Sequence, residues 1–251
     1  MYVAFNGRFE MDHVFFIVVI SVLGPLIGSA IGVLKLPSFG YICNMLCFAA
    51  GVMLGISFLE LIPQSLLLSS VMVCAGGVIS GSLIMYAMDR LIPHIHPRLC
   101  VQEHGCNLER TSIYLILGMF LHNFPEGMAI AIGTVTDIKI SLVIAFALAI
   151  HGIPEGVCTS APYYHSTGDR TKAFLLSSTT AIPILAGFFL ARYTFQNMSP
   201  KVLGFIIAAT AGLMIYITVD ELIPSGCAGS NHHTLFALIF GIVFVMFLGA
   251  I

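Results

Sequence analysis

His122-Asn-Phe-Pro-Glu126-Gly recurs twenty-nine residues later as His151-Gly-Ile-Pro-Glu155-Gly. In each copy the imidazole and the carboxylate are four residues apart, so in a helix both project from one face and can meet at one ion. Two imidazoles and two carboxylates form a four-ligand set suited to Zn²⁺, and also to Fe²⁺ or Mn²⁺. Pro125 and Pro154 lack the N–H that would bond the carbonyls of Leu121 and Ile150, and Gly127 and Gly156 follow them. The spacing therefore predicts helices that kink or unwind where the polar groups converge.

Those motifs lie inside apolar runs. The 251 residues are 58% hydrophobic and only 9% charged, against about 25% charged in a soluble domain. Runs of roughly 18 or more apolar residues can cross a bilayer as helices, because lipid-facing backbone must satisfy its own hydrogen bonds. Eight are expected: Val14–Leu34, Phe39–Leu61, Leu66–Met88, Ser112–Thr134, Ile138–Ala161, Ala173–Ala191, Val202–Ile223 and Thr234–Ile251. The chain thus reads as an all-α polytopic membrane protein and a single transmembrane domain over residues 1–251. Its longest polar connection, residues 89–111, holds His94, His96, Cys100, Glu103, His104 and Cys106. These could capture metal weakly, or be ordinary solvated loop residues.

A carboxylate at the centre of a membrane helix costs about 2.5–3.5 kcal/mol. All ten Lys and Arg fall at span ends or in loops. Protons, hydrogen bonds or a bound cation are left to offset Glu126 and Glu155. Net charge is −2, which excludes the basic excess of a nucleic-acid binder. No phosphate-binding Gly-x-x-x-x-Gly-Lys-Ser/Thr segment is present, so ATP hydrolysis is not encoded. Seven cysteines imply no disulfide framework, and Cys43 and Cys47, on one face of span two, read as packing residues.

A second duplication supplies gates. Gly51–Pro63 in span two aligns without gaps on Gly212–Pro224 in span seven, with seven identities in thirteen positions and a shared Glu-Leu-Ile-Pro. Five crossings separate the copies, so they run in opposite senses and send Glu60 and Glu221 toward opposite faces, as in inverted-repeat transporters. Ser57 and Thr218 stand one turn before those glutamates, and Asp220 beside Glu221 is a further pathway candidate. With the amino terminus outside, inner loops hold Lys35, Arg90, Arg98, Arg110, Arg170 and Lys172, and outer segments Arg8, Lys139, Arg192 and Lys201.

Together the two His-x-x-Pro-Glu-Gly motifs and the Glu-Leu-Ile-Pro ends resemble the ZIP (Zrt/Irt-like protein) metal transporters, in particular their ZupT/GufA-like branch. The resemblance covers nearly the whole chain. It implies movement of divalent metal, zinc first, toward the cytoplasm across the cell membrane, with no prosthetic cofactor. It implies an inverted repeat of spans 1–3 and 6–8 around spans 4–5, and metal ligands His122, Glu126, His151 and Glu155 with Asn123 beside them. Many relatives carry Asn or Asp where Gly152 stands and a carboxylate where Ile182 precedes Pro183. One intact site and a weakened or absent second one are therefore expected. Partners are the metal ion and the bilayer, with a homodimer left open. The competing reading is an intramembrane metal-dependent hydrolase using the same His/Glu set, although no His-Glu-x-x-His is present.

Overall fold

The computed structural model describes residues 9–34, 38–91, 113, 116–117, 119–120, 123–131, 138–195, 198–227 and 232–250. Everything described is helix or short connection. Span one is α1 (Phe9–Leu34). Span two is α2 (Phe39–Gly55), a π-helical turn (Ile56–Leu61) and α3 (Ile62–Leu68) in unbroken succession. Next come α4 (Val71–Leu91), a helical stretch at 123–131, and α5 (Ile138–Thr167). Span six is α6 (Arg170–Ser178) and α7 (Ala181–Phe195), joined by a turn at Thr179 and Thr180. Span seven is α8 (Pro200–Ile217), a second π-helical turn (Thr218–Leu222) and α9 (Ile223–Gly226); α10 (His232–Gly249) closes the chain.

Six helices among the described residues are long and apolar enough to span a bilayer, and His233–Gly249 is a shorter apolar helix. Much of the expected fourth span, 112–134, lies outside the described residues. Large apolar side chains are turned outward, as lipid permits: Leu67 and Met72 are each 82% exposed and Phe236 69%. Inside, Ile17, Met53, Ile130, Ile144, Phe188, Ile207 and Met214 form one buried core. Between α5 and α6 the chain turns through Gly168 at φ 72°, a conformation glycine adopts without strain. Asp169 then caps α6 by accepting from the Lys172 backbone N–H at 3.0 Å. That bond holds its carboxyl below the usual carboxylate range.

Two expectations are corrected. Proline does not end span two: the helix passes through Pro63 to Leu68, so Leu66 belongs to span two and span three starts at Val71. Nor does Pro154 unwind span five, since α5 runs unbroken through both Pro154 and Pro162. A proline removes one hydrogen bond, and packing along a 30-residue helix outweighs that loss. The strain appears instead as π-helical turns just before Pro63 and Pro224. There the Ile62 N–H bonds to Ser57 O and the Ile223 N–H to Thr218 O, each five residues back. Proline crowds the carbonyl four residues before it, and one wider turn relieves the clash.

Helix pairs approach at glycines. Gly28 lies against the Ile153 carbonyl and Gly156 against that of Pro25, joining α1 to α5; Gly187 and Gly127 meet the carbonyls of Phe124 and Ile184 in the same manner. Gly51 lies against Leu238 O and Gly241 against Phe48 O, joining α2 to α10. Gly212 and Gly81 meet Val78 O and Ala209 O between α8 and α4. Small residues let backbones touch where the bilayer offers no hydrophobic drive for association.

Candidate metal centre

His151, in the middle of α5, is 0% exposed and stands between two carboxylates. Its Nε2 is 3.0 Å from Glu155 Oε1, one turn on along the same helix, and 3.1 Å from Glu126 Oε1 in the stretch 123–131. The ring's other nitrogen, Nδ1, lies 3.2 Å from the Leu148 carbonyl. As a donor to that carbonyl it leaves Nε2 with its lone pair toward the carboxylates, the tautomer a metal requires. Ligand atoms of Glu126, His151 and Glu155 all fall within 4.8 Å of one another, and the three residues are buried. Helical spacing supplies the pair on α5. The carbonyl contacts of Gly127 and Gly156 hold the two motif-bearing segments against α7 and α1.

Bonds of about 2.0–2.2 Å place neighbouring ligand atoms of a tetrahedral zinc site about 3.3–3.6 Å apart. The 3.0–3.1 Å spacing here is close to that edge, so closing on a cation requires shifts of only a few tenths of an ångström. Each buried ion costs several kcal/mol in desolvation. A divalent cation cancels both carboxylate charges at once, whereas a proton on His151 cancels one.

Asn123 is 1% exposed, and its Nδ2 donates to the Thr180 carbonyl at 2.7 Å; among the described residues its Oδ1 has no hydrogen-bond partner. Thr180, in the turn between α6 and α7, was not marked by any sequence motif. Nor was the hydroxyl cluster one turn beyond Glu155. There Thr159 and Ser160 bond to the Gly156 carbonyl, and Ser177 links Thr159 to Ser29 of α1. It fastens α1, α5 and α6 beside the centre.

The remaining expected residues divide. His122 lies outside the described residues, as do His94, His96, Cys100, His104 and Cys106 of the polar loop. Glu60 and Asp220 are half-buried, each inside its π-helical turn; the Glu221 side chain is outside the described part. Ser57 is fully buried with no hydrogen-bond partner for Oγ among the described residues, and Thr218 donates to Met214 O at 2.7 Å. Ile182 is 54% exposed, so a carboxylate there would point outward, and Thr180 is the span-six residue that meets Asn123. A Cβ on Gly152 would lie 2.6 Å from Pro25 Cδ. Gly152→Asp is accordingly expected to lower the thermal midpoint without adding a second metal equivalent. A titration of the purified variant that finds two equal sites would refute this.

A family model described as ZIP zinc transporter matches residues 98–249. The chain is 37% identical over 206 residues to the zinc transporter ZupT of Escherichia coli O127:H6 (strain E2348/69 / EPEC), covering 79% of this chain and 80% of that protein. Zinc transporter ZupT of Enterobacter sp. (strain 638) is 35% identical over the same shares. With the motif pair converging on one buried point and the match extending over most of both proteins, the chain belongs to the ZIP family of zinc transporters.

Proposed function

We propose that the chain carries divalent metal cations, zinc first, across the cell membrane toward the cytoplasm, as one transporter domain. The observation that carries this reading is the buried convergence of Glu126, His151 and Glu155 within helices of membrane-spanning length. The carboxylates of Glu126 and Glu155 lie 3.0–3.1 Å from His151 Nε2, and among the described residues no Lys or Arg forms an ion pair with them. His122 completes the ligand set, with Asn123 adjacent. The hydrolase alternative falls with family membership, since these proteins are transporters and not enzymes.

Eight spans with an inverted repeat are part of the proposal. Supporting it, the Gly28–Ile153 and Gly156–Pro25 contacts recur as Gly187–Phe124 and Gly127–Ile184, and the Gly51–Leu238 and Gly241–Phe48 contacts as Gly212–Val78 and Gly81–Ala209. Within each set one pair of offsets relates both matches, 159 and 29 residues in the first and 161 and 160 in the second, and the two π-helical turns occupy equivalent positions. On this reading a cation enters past Glu60, binds at the centre and leaves past Asp220 and Glu221. The amino terminus is outside, as the distribution of Lys and Arg favours. A homodimer is compatible with these faces but is not needed for the site, which is built from one chain.

Zinc accumulation into proteoliposomes is the test: uptake above protein-free vesicles is expected, and its absence from folded protein would reject the reading. Uptake should also weaken under acid. Ligation needs neutral imidazole and ionised carboxylates, so protons compete with metal. A rate that climbs steadily as pH falls below about 5 contradicts direct ligation by these groups.

A further inference from the structure

Four cysteines outside any disulfide lie on one side of the Glu126–His151–Glu155 centre and lead away from it. Cys158, on α5 three residues past Glu155, is within electrostatic reach of both Glu155 and Cys43. Cys43 and Cys47, one turn apart on α2, are 1% and 0% exposed and lie within reach of each other. Cys47 also lies within reach of Cys227, just past α9, and of Thr234 on α10. The packing there is close: a Cβ on Gly226 would sit 3.2 Å from the Cys43 carbonyl and against Cys47 Sγ. The line begins and ends at half-buried thiols, Cys158 and Cys227, and is buried between them.

Packing alone accounts poorly for this row. Under the repeat proposed above, Cys43, Cys47, Cys158 and Cys227 correspond to Gly204, Ala208, Ala129 and Leu66. Gly204, Ala208 and Ala129 are buried, and Ser65 bonds to the Gly204 carbonyl where Gly226 approaches that of Cys43. The four corresponding positions are thus filled without sulfur on the other side of the centre, where Cys74 stands in the place of Thr234. Among the described residues one buried thiol, Cys74 near the start of α4, stands in the other half, whereas the row of four lies in the half toward Cys227, which is the cytoplasmic half when the amino terminus is outside.

We propose that Cys158, Cys43, Cys47 and Cys227 are transit ligands, a soft-ligand relay that takes the cation from Glu155 toward the inner membrane face. This rests on the transport reading above. Thiolates favour zinc and cadmium over harder ions such as manganese. A closed set of four would trap zinc as structural sites do, whereas passage needs sites weak enough to leave. Among the described residues the only closed group is Glu126, His151 and Glu155, so the relay holds metal by one or two sulfurs at a time, with water completing the shell. Each thiol gives its proton to water as it ligates and takes one back when the ion moves on.

Cadmium is the probe, because a cadmium–thiolate bond absorbs in the near ultraviolet. The parent protein carries Cys100→Ser and Cys106→Ser to silence the loop. Cadmium added to that parent should produce the thiolate absorption, and Cys47→Ser with Cys227→Ser should remove most of it and lower cadmium uptake severalfold. No absorption in the parent, or an absorption and uptake indifferent to the double substitution, overturns the relay. Should the double variant fail size-exclusion, Cys227 alkylation in the parent decides: cadmium must slow it, and an unchanged rate overturns the proposal. Glu126→Ala separates the two readings. Loss of uptake with the absorption retained leaves the relay standing, while uptake indifferent to Glu126→Ala rejects the central site itself.

Discussion

Glu126→Ala should reduce zinc uptake by about 100-fold or more, the largest single loss expected in this protein. Outer partners of metal ligands already cost 10–100-fold when removed, and Glu126 Oε1 is 3.1 Å from His151 Nε2 in the ligand position itself. Glu126 is also the contribution of the 123–131 stretch to a site whose other described members share α5. Without it, Glu155 is the one carboxylate left beside the imidazoles of His151 and, in the proposed set, His122, so a single negative charge faces a divalent ion that must shed its water. Stability should change little or even rise, because a buried charge with costly desolvation has been removed. Glu126→Gln discriminates charge from shape: it retains an oxygen but cannot neutralise the cation, and should behave nearly as badly as Ala. The measurement is initial rate in proteoliposomes at equal protein incorporation. A Glu126→Ala rate within a few-fold of the parent would mean that metal crosses elsewhere.

How much of this was legible in the sequence depended on the length scale of the cause. The convergence of His151 with Glu155 follows from a four-residue spacing on one helix, and its pairing with Glu126 was signalled by duplication of the motif. The order of the spans was also readable, since an apolar run of bilayer length has few alternatives. Local consequences of proline were not. Span five was expected to kink or unwind at Pro154 and is continuous helix there, while span two was expected to end at Leu61 and instead runs on through Pro63 with one turn widened before it. In both cases the outcome depends on what the neighbouring helices press against that turn, which no single-helix pattern contains. Thr180 as the partner of Asn123 was invisible for the same reason: a backbone carbonyl carries no residue-type signature. Ile182 was read as a site position by resemblance, and its outward orientation follows from the Thr179–Thr180 turn that separates α6 from α7. The row of cysteines was visible as residues but not as a row, because it draws on three elements far apart in sequence.

Gly156→Ala should cost both stability and transport, though it removes no polar group. A Cβ there would collide with the Pro25 carbonyl and lie 2.6 Å from Ser29 N and 2.9 Å from Gly28 C, all backbone atoms of α1. No rotamer change can relieve a clash with backbone, so α1 and α5 must separate. Overpacking of this kind costs about 1–3 kcal/mol, against a gain of at most about 1 kcal/mol from replacing glycine in a helix. The separation would loosen the Gly28–Ile153 contact and the Ser29–Ser177 hydrogen bond of 2.6 Å at the same joint. Glu155 precedes Gly156 in the chain, so any displacement of α5 passes directly to a proposed metal ligand. A shift near 1 Å can cost about 100-fold where geometry governs the step. Gly40→Ala is the matched control: nothing lies within 4 Å of its added Cβ, and it should leave the thermal midpoint and the uptake rate unchanged. Gly156→Ala with an unaltered midpoint and full uptake would show that α1 and α5 are not held at contact distance in the membrane, and that the centre tolerates their separation.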